Sequence, residues 1–444
     1  MFSLSVVLPS STQTLLIPAI PTLAADRGFS VATNGWLLSA FLIGASISAP
    51  LVGRIGDLRG RRNLTVLTSA AHVVGSIICL VAGDQGLAVA GGRALQGFSA
   101  GVFVLHISTI QQLVPTAAAR AAHIGVLSGV VGMGPAIGFL VGGAVTAQLG
   151  VSMLFVIGVL AGSVSTVLLW VWTPESGGQG HGSVDVRGAA LVALSLFLFL
   201  TFLAQVGVHG LGGRTTLLSL LGTLLALVTT VVWMRRVAVP FIDLEVLKNR
   251  TSTLGNAATA FSSAAMFGLF VVVPQLVQDD AHGFGMGPVA AGLFLVPGAL
   301  AMVLVGPLAG RAGASRGFGL VIVVGNALCA AGLLAMGLLP WSVAGVLVLA
   351  TIASVGVGVA FPAMPSVVMD AVPHRAVGAA AGINSLVRGV GSAAGAQIAL
   401  MVSASASSVG AGGHRQAFVI GAFGAVGAVF VGLGIARSST VRGS

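Results

Sequence analysis

Apolar runs follow one another along this chain with few polar breaks. GAALVALSLFLFLTFLAQVG (188–207) and TTLLSLLGTLLALVTTVVWM (215–234) carry no charge at all. Runs of about 18 or more apolar residues are long enough to cross a bilayer as helices. In lipid the backbone polar groups must be satisfied within the segment, which favours helix over any open form. The pattern predicts fourteen spans, at roughly 2–24, 33–53, 63–83, 86–108, 121–144, 151–172, 188–207, 215–234, 253–277, 287–309, 317–339, 342–365, 376–403 and 416–436. The expected fold class is an all-α polytopic membrane protein with 14 transmembrane helices.

Composition supports that class and narrows the partners. Hydrophobic residues make up 56% of 444 positions, mean hydropathy is +1.06 and 7% of residues are charged. A net charge of +10 raises the question of nucleic acid. The placement of the charge answers it. Even-numbered connections hold Arg54, Arg59, Arg61, Arg62, Arg120, Arg187, Arg235, Arg236, Lys248, Arg250, Arg311, Arg316 and Arg375, and the tail adds Arg437 and Arg442. The other side has Arg27, Arg214 and Arg415, which makes fifteen against three. This asymmetry is the positive-inside pattern, so both termini are expected in the cytoplasm of a multi-pass cell-membrane protein, with the lipid bilayer rather than nucleic acid as partner. The first span lacks a basic n-region and a clear cleavage site, so no cleavable signal is expected. It begins almost at Met1, which implies a short first helix or a start codon upstream. Cys79 and Cys329 stand alone in apolar runs and read as packing residues, so no disulfide, metal or cofactor is expected.

Charge is concentrated in GRIGDLRGRR, with five charged residues between Gly53 and Arg62. GPLAGRAGASRG, Gly306 to Gly317, follows the tenth span in the same way but has no acid. If spans one to six and nine to fourteen are repeats, each of these turns joins the second and third helix of its half. The organisation expected is residues 1–174 as an N-terminal six-helix bundle, 175–250 as a linker with two inserted helices, and 251–444 as a C-terminal six-helix bundle.

The Gly53–Arg62 stretch reads as a tight loop, with glycines allowing close approach and Asp57 near the start of the third span, where the helix dipole favours an acid. Such a charge network can hold one conformation closed and release another. Arg93, with Gln96 and Gly97, lies well inside the fourth span, where a charge is costly and points to function. The alternative for Arg93 is bonding to carbonyls of neighbouring helices. Pro135 in the fifth span removes a backbone donor, and Gly134 and Gly138 admit a neighbouring helix. Arg388 in the thirteenth span fits anion binding and snorkelling equally.

These residues resemble the major facilitator superfamily, specifically its fourteen-helix drug/proton antiporter branch. The resemblance rests on G-x-x-x-D-x-x-G-R-R (Gly53, Asp57, Gly60, Arg61, Arg62) and on R-x-x-Q-G (Arg93, Gln96, Gly97). It also rests on GVLSGVVGMGPAIG (Gly125, Gly134, Pro135, Gly138), PFIDLEVLKNR and INSLVRGVGSAAG. It implies the major-facilitator fold, two six-helix halves plus two inserted helices. It further implies that the Asp57 turn gates the outward-open state, that Arg93 takes part in proton or substrate coupling, and that the Gly134-Pro135 segment is a pivot and seal between the halves. Val130 and Phe139 replace glycines of the fullest antiporter pattern, and Pro9 or Ser10 stands where relatives carry an acid in the first helix.

No Asp or Glu lies mid-span, so the candidates for proton coupling are Asp57, Asp370 at the end of span twelve, and a histidine. His106 is chosen because it shares span four with Arg93; His72 reads as a packing residue. A cavity lined by Gln13, Trp36, Phe41, Phe261, Phe267, Asn384 and Arg388 is expected to suit apolar, aromatic or anionic compounds better than dications. The single lysine, Lys248, is followed by Asn249, so a G-x-x-x-x-G-K-[ST] nucleotide loop is absent and with it an ATP-driven pump. No carboxylate cluster suggests an enzyme. The expected function is secondary active export of small amphipathic drugs or natural products, driven by protons, by a chain acting as a monomer. A transporter of one specific metabolite is the nearest alternative, and a non-catalytic membrane subunit the next.

Overall fold

The computed structural model describes residues 2–114, 116–173, 183–242, 244–373, 376–404 and 412–440. Fourteen helices are long and apolar enough to span a membrane. In the first half they are α1 (Leu4–Arg27), α2 (Val31–Gly56), α3 (Arg62–Val81), α4 (Gly86–Ile110), α5 (Gly129–Leu149) and α6 (Ser152–Trp172). An intervening pair follows, α7 (Val186–His209) and α8 (Arg214–Arg236). The second half holds α9 (Arg250–Gln278), α10 (Pro288–Arg316), α11 (Phe318–Leu338), α12 (Val343–Asp370), α13 (Val377–Ala404) and α14 (Gly412–Arg437). The described residues form helices and connections, with no strand.

Two boundaries differ from expectation, for one reason: hydropathy ends a span at the first charges, whereas backbone hydrogen bonding does not. The α2 helix runs on to Arg59, so most of the expected loop is helical. Asp57 therefore lies on the last turn of α2, not at the start of α3, and the helix dipole there favours the neighbouring arginines rather than the acid. The α5 helix likewise begins at Ala117, a full turn before its apolar stretch. In α1 the helix Phe2–Leu15 passes through a 3-10 turn, Ile17–Ala19, into Ile20–Arg27. Pro18 and Pro21 lack the amide protons that an unbroken helix would require.

Close contacts between helices come from small residues, as lipid requires. A Cβ on Gly44 of α2 would strike the Ala94 carbonyl of α4, and one on Gly97 would strike the Phe41 carbonyl in return. In the second half, Gly325 of α11 and Gly356 of α12 face each other, and Gly391 and Gly395 of α13 lie on Ala260 and Ala264 of α9. The intervening pair rests on α2 and α13: the Trp36 ring meets Phe197 of α7, and Met401 fills the space beside Gly207. Asp185 caps the pair. Its Oδ1 accepts from the Gly188 amide (2.8 Å) and Trp233 Nε1 (3.0 Å), and its Oδ2 from the Phe241 amide (3.0 Å).

The two halves repeat one turn. Gly60 closes α2 with φ 92°, ψ 155°, and its amide bonds Gly56 O at 3.1 Å. Gly317 closes α10 with φ 90°, ψ 134°, and its amide bonds Gly313 O at 2.9 Å. Both conformations are open essentially to glycine alone and cost other residues about 1–3 kcal/mol. Gly60→Ala and Gly317→Ala are each expected to lower the melting temperature in detergent by several degrees. Gly310→Ala, on an open helical face, should leave it unchanged. Fluorescence-monitored melting of the three variants checks this.

Candidate functional site: a cavity between the halves and a buried arginine brace

A cavity of about 770 Å³ lies between the two halves. Its wall runs from the middle of the spans toward the arginine-rich end of the bundle, through Val6 on α1, Ala49 on α2, Gly306 and Pro307 on α10 and Pro365 on α12. At the other end the halves meet. Gln278 of α9 donates to Pro18 O (3.0 Å), Phe139 of α5 meets Phe270 of α9 edge-on with ring centroids 5.1 Å apart, and Gly143 sits against the Pro288 carbonyl. Beside this closed end, Asp279 accepts a bond from His414 Nε2 at 2.9 Å, joining the end of α9 to the start of α14. Partial burial pushes its carboxyl up, but bonds from His414 and from the His282 and Ala281 amides outweigh that and hold it below the usual carboxylate range.

Of the residues expected on the cavity wall, Gln13, Phe267 and Arg388 are there, and so is Pro135. Four others are elsewhere. Trp36 packs between the first half and Phe197. Phe41 is buried beneath Arg93, whose Cζ lies 4.7 Å from the ring centroid. Phe261 is 44% exposed on the outer surface, against Gly427 of α14. Asn384 is held inside the second half, donating to Asn256 Oδ1 (3.1 Å) and Thr259 Oγ1 (2.8 Å) of α9. The cavity residues not foreseen are Phe270, Met302, Phe361 and Phe103. They sit in helices that are apolar all round, where periodicity does not distinguish a cavity face from a lipid face.

The expected seal between halves is also redistributed. Gly134 and Gly138 of α5 face α1 of the same half, where a Cβ would meet Ser10 and Thr14. The contacts to α10 of the other half come from Gly132, against Val303, and from Gly143 and Phe139, whose carbonyl abuts Gly292. α5 thus carries two small-residue faces, and the one toward the second half lies outside the quoted glycines. Gly125 and the Asp57 side chain lie outside the described residues beyond their helical backbone.

In the Gly53–Arg62 region, Gly53 stands against Val104, Arg61 Nη1 donates to Ser108 O (3.3 Å) and Arg62 Nη2 to Trp170 O (3.0 Å). The end of α2 and start of α3 are thereby tied to α4 and α6. Among the coupling candidates, Arg93 and Gln96 come together and the others stand apart. His106 Nε2 pairs with Ser5 Oγ at 2.6 Å, on the contact between α4 and α1. Asp370 is exposed at the end of α12.

Arg93 is 1% exposed and braces four helices. Nε donates to Leu37 O of α2 (3.1 Å), Nη1 and Nη2 to Thr12 O of α1 (both 3.3 Å), and Nη1 also to Gln96 Oε1 (2.7 Å). Gln96 Nε2 continues to Ser76 Oγ of α3 at 2.8 Å, and Ser76 to His72 O at 2.8 Å. His72 Nδ1 lies 3.3 Å from Ser99 Oγ. Carbonyls and the Phe41 face meet this cation; no described carboxylate pairs with it. The geometry is that of the carbonyl-bonded alternative, and it also makes Arg93 a junction between α1 on the cavity wall and the helices behind it.

Two halves face each other across a cavity and repeat one glycine turn. The sequence profile of the Major Facilitator Superfamily matches residues 2–396. The chain belongs to the Major Facilitator Superfamily. Like its relatives in that superfamily it is a membrane transporter and not an enzyme. Multidrug resistance protein B homolog of Mycobacterium tuberculosis is 27% identical over 328 residues, covering 72% of this chain and 59% of that protein. Multidrug resistance protein Stp of the same organism is 26% identical over 376 residues, covering 83% and 69%. Efflux pump dotC of Dothistroma septosporum is 26% identical over 305 residues, covering 67% and 52%. The matches thus span about half to two thirds of the length of these curated relatives. Among solved structures, the human organic anion transporter MFSD10 (TETRAN) superposes with a TM-score of 0.61 at 18% identity, covering 97% of each chain. An auto-inhibited POT family peptide transporter superposes with a TM-score of 0.67 at 17% identity, covering 98% of this chain and 96% of that one. Both likenesses concern the fold.

Removing the Arg93 guanidinium from this superfamily transporter leaves Gln96 and two backbone carbonyls with lost partners, at about 1–3 kcal/mol for each buried group left unpaired. Arg93→Met is therefore expected to lower the melting temperature markedly, and Arg93→Lys to recover only part of it, since an ammonium has no planar fork. Unchanged melting with lost transport would assign Arg93 to the transport cycle instead of the brace.

Proposed function

We propose that this transporter exports small amphipathic molecules across the cell membrane by alternating access, driven by the proton gradient. The observation that carries the reading is the cavity between the halves, which extends toward one end of the bundle while the other end is sealed by Gln278–Pro18, Phe139–Phe270 and Gly143–Pro288. By the positive-inside rule the arginine-rich end is cytoplasmic, so the cavity faces the compartment from which an exporter loads. Rocking one half against the other would open the sealed end and close the loaded one. The division into residues 1–174, 175–250 and 251–444 supplies the moving units, with α7 and α8 carried between them. Similarity to proteins named for multidrug resistance and efflux supports export of drugs or natural products over import. We take the chain to act as a monomer, since residues of one copy line the cavity.

Proton coupling needs a group that titrates. No carboxylate lines the cavity among the described residues, and Asp57 is carried on the last turn of α2, a helix that lines it. A drug-susceptibility panel in a pump-deficient host, with and without a protonophore, tests the reading. Expression is expected to raise tolerance to several amphipathic compounds, and the protonophore to remove that gain. Tolerance to none of them would reject drug export, tolerance to one compound alone would favour a dedicated metabolite carrier, and insensitivity to the protonophore would reject proton drive. Asp57→Asn should abolish the gain at unchanged membrane levels; full activity would remove Asp57 from the coupling.

A further inference from the structure

The polar side chains of the cavity divide into those already used by the protein and those left for a ligand. Ser10, Thr14 and Ser46 donate to backbone carbonyls, at 2.6 Å to Val131 O, 3.2 Å to Pro135 O and 2.6 Å to Leu42 O. Arg388 and Gln13 are different. The Arg388 guanidinium makes one hydrogen bond, from Nη2 to Ser385 Oγ at 3.4 Å, and stands 5.4 Å above the Phe361 ring. Both residues line the cavity, and apart from the bond to Ser385 the guanidinium has no hydrogen-bond partner among the described residues. No described carboxylate pairs with it, in contrast to Arg93, whose three nitrogens are all bonded within the fold. Gln13 lines the cavity from the opposite half, and its side chain makes no hydrogen bond to the described residues.

A guanidinium in apolar surroundings with most of its five N–H donors unengaged attracts an anion. The rest of the wall is apolar and aromatic, with Phe267, Phe270 and Met302 close by in the same cavity. We propose that the cavity selects small aromatic monoanions, a carboxylate or sulfonate pairing with Arg388 and the ring system lying on the phenylalanines. Gln13 supplies a further donor from the first half, so that the ligand bridges α1 and α13. The selection rests on the transport reading for its cavity, and on none of its claims about direction or proton drive.

The test is binding of three isosteric probes to the purified full-length protein in lipid nanodiscs, by equilibrium dialysis with empty nanodiscs subtracted. The probes are naphthalene-2-sulfonate, 2-naphthyltrimethylammonium and 2-naphthalenemethanol. The wild type is expected to hold the sulfonate at least about tenfold more tightly than the ammonium, as one charge-assisted hydrogen bond gives. Arg388→Gln should weaken the sulfonate by about the same factor and leave the alcohol unchanged, and Arg388→Lys should keep the order of preference. Equal binding of sulfonate and ammonium, tighter binding of the ammonium, no binding of any probe, or a sulfonate affinity indifferent to Arg388→Gln would overturn the proposal. If Arg388→Gln does not fold, the wild-type comparison decides alone. Uptake of the sulfonate into inside-out vesicles separates the two readings: binding without uptake rejects export and keeps the selectivity, whereas uptake of the ammonium alone keeps export and rejects the selectivity.

Discussion

Helices in lipid gain nothing by hiding apolar side chains from water, because the tails around them are equally apolar. They associate through close backbone contact, and many of this chain's glycines sit at such contacts. Gly44 and Gly97 lock α2 to α4, Gly134, Gly138 and Gly142 lock α5 to α1, and Gly391 and Gly395 lock α13 to α9. Each is a contact inside one half. Between the halves, similarly close approach occurs at the sealed end, at Gly143 on Pro288 and Gly292 on Phe139, and along α2 and α13, where Gly389 meets Ser46. The cavity wall also carries bulkier side chains, among them Phe267, Met302 and Phe361.

Against that apolar background two arginines take opposite parts. Arg93 is placed where three carbonyl or amide oxygens and a phenyl face converge, so its charge is fully engaged and its work is to hold α1, α2 and α4 in register, with Gln96 extending the hold to α3. Arg388 has a ring on one side and a serine at its edge, and its charge is left to the cavity. A membrane arginine is costly in either setting. The difference in partners is what assigns one to the scaffold and the other to the ligand.

The span pattern was legible because a bilayer sets a length that a hydropathy run must match, and all fourteen expected spans have helices. What polar residues do inside the spans was legible in part. Gln13 and Arg388 announced themselves as polar positions within apolar runs. Trp36, Phe41, Phe261 and Asn384 did not lie where their chemistry suggested, because a membrane helix is apolar toward lipid, toward its neighbours and toward a cavity alike. Gly134 and Gly138 show the same limit: a glycine pattern declares close approach without saying to which helix. Asp57 was misplaced by one turn because charge ends an apolar run before hydrogen bonding ends a helix.

The path of α2 connects these features. From Leu37, whose carbonyl receives Arg93, the helix passes Ser46 on the cavity wall and ends at Arg59, two residues beyond Asp57, before the Gly60 turn. A scheme in which proton and cargo compete for one carboxylate has no such group among the described cavity residues. For the proton-driven cycle proposed above, we propose titration at the end of α2 and ligand binding at its middle, with the helix between them carrying the coupling. This helix of 29 residues, with Pro50 between Ser46 and Asp57, can pass a change of tilt along its backbone without a chain of titratable side chains. The brace at Arg93 would then matter as the fulcrum, fixing one end of α2 to α1 and α4 while the other end moves.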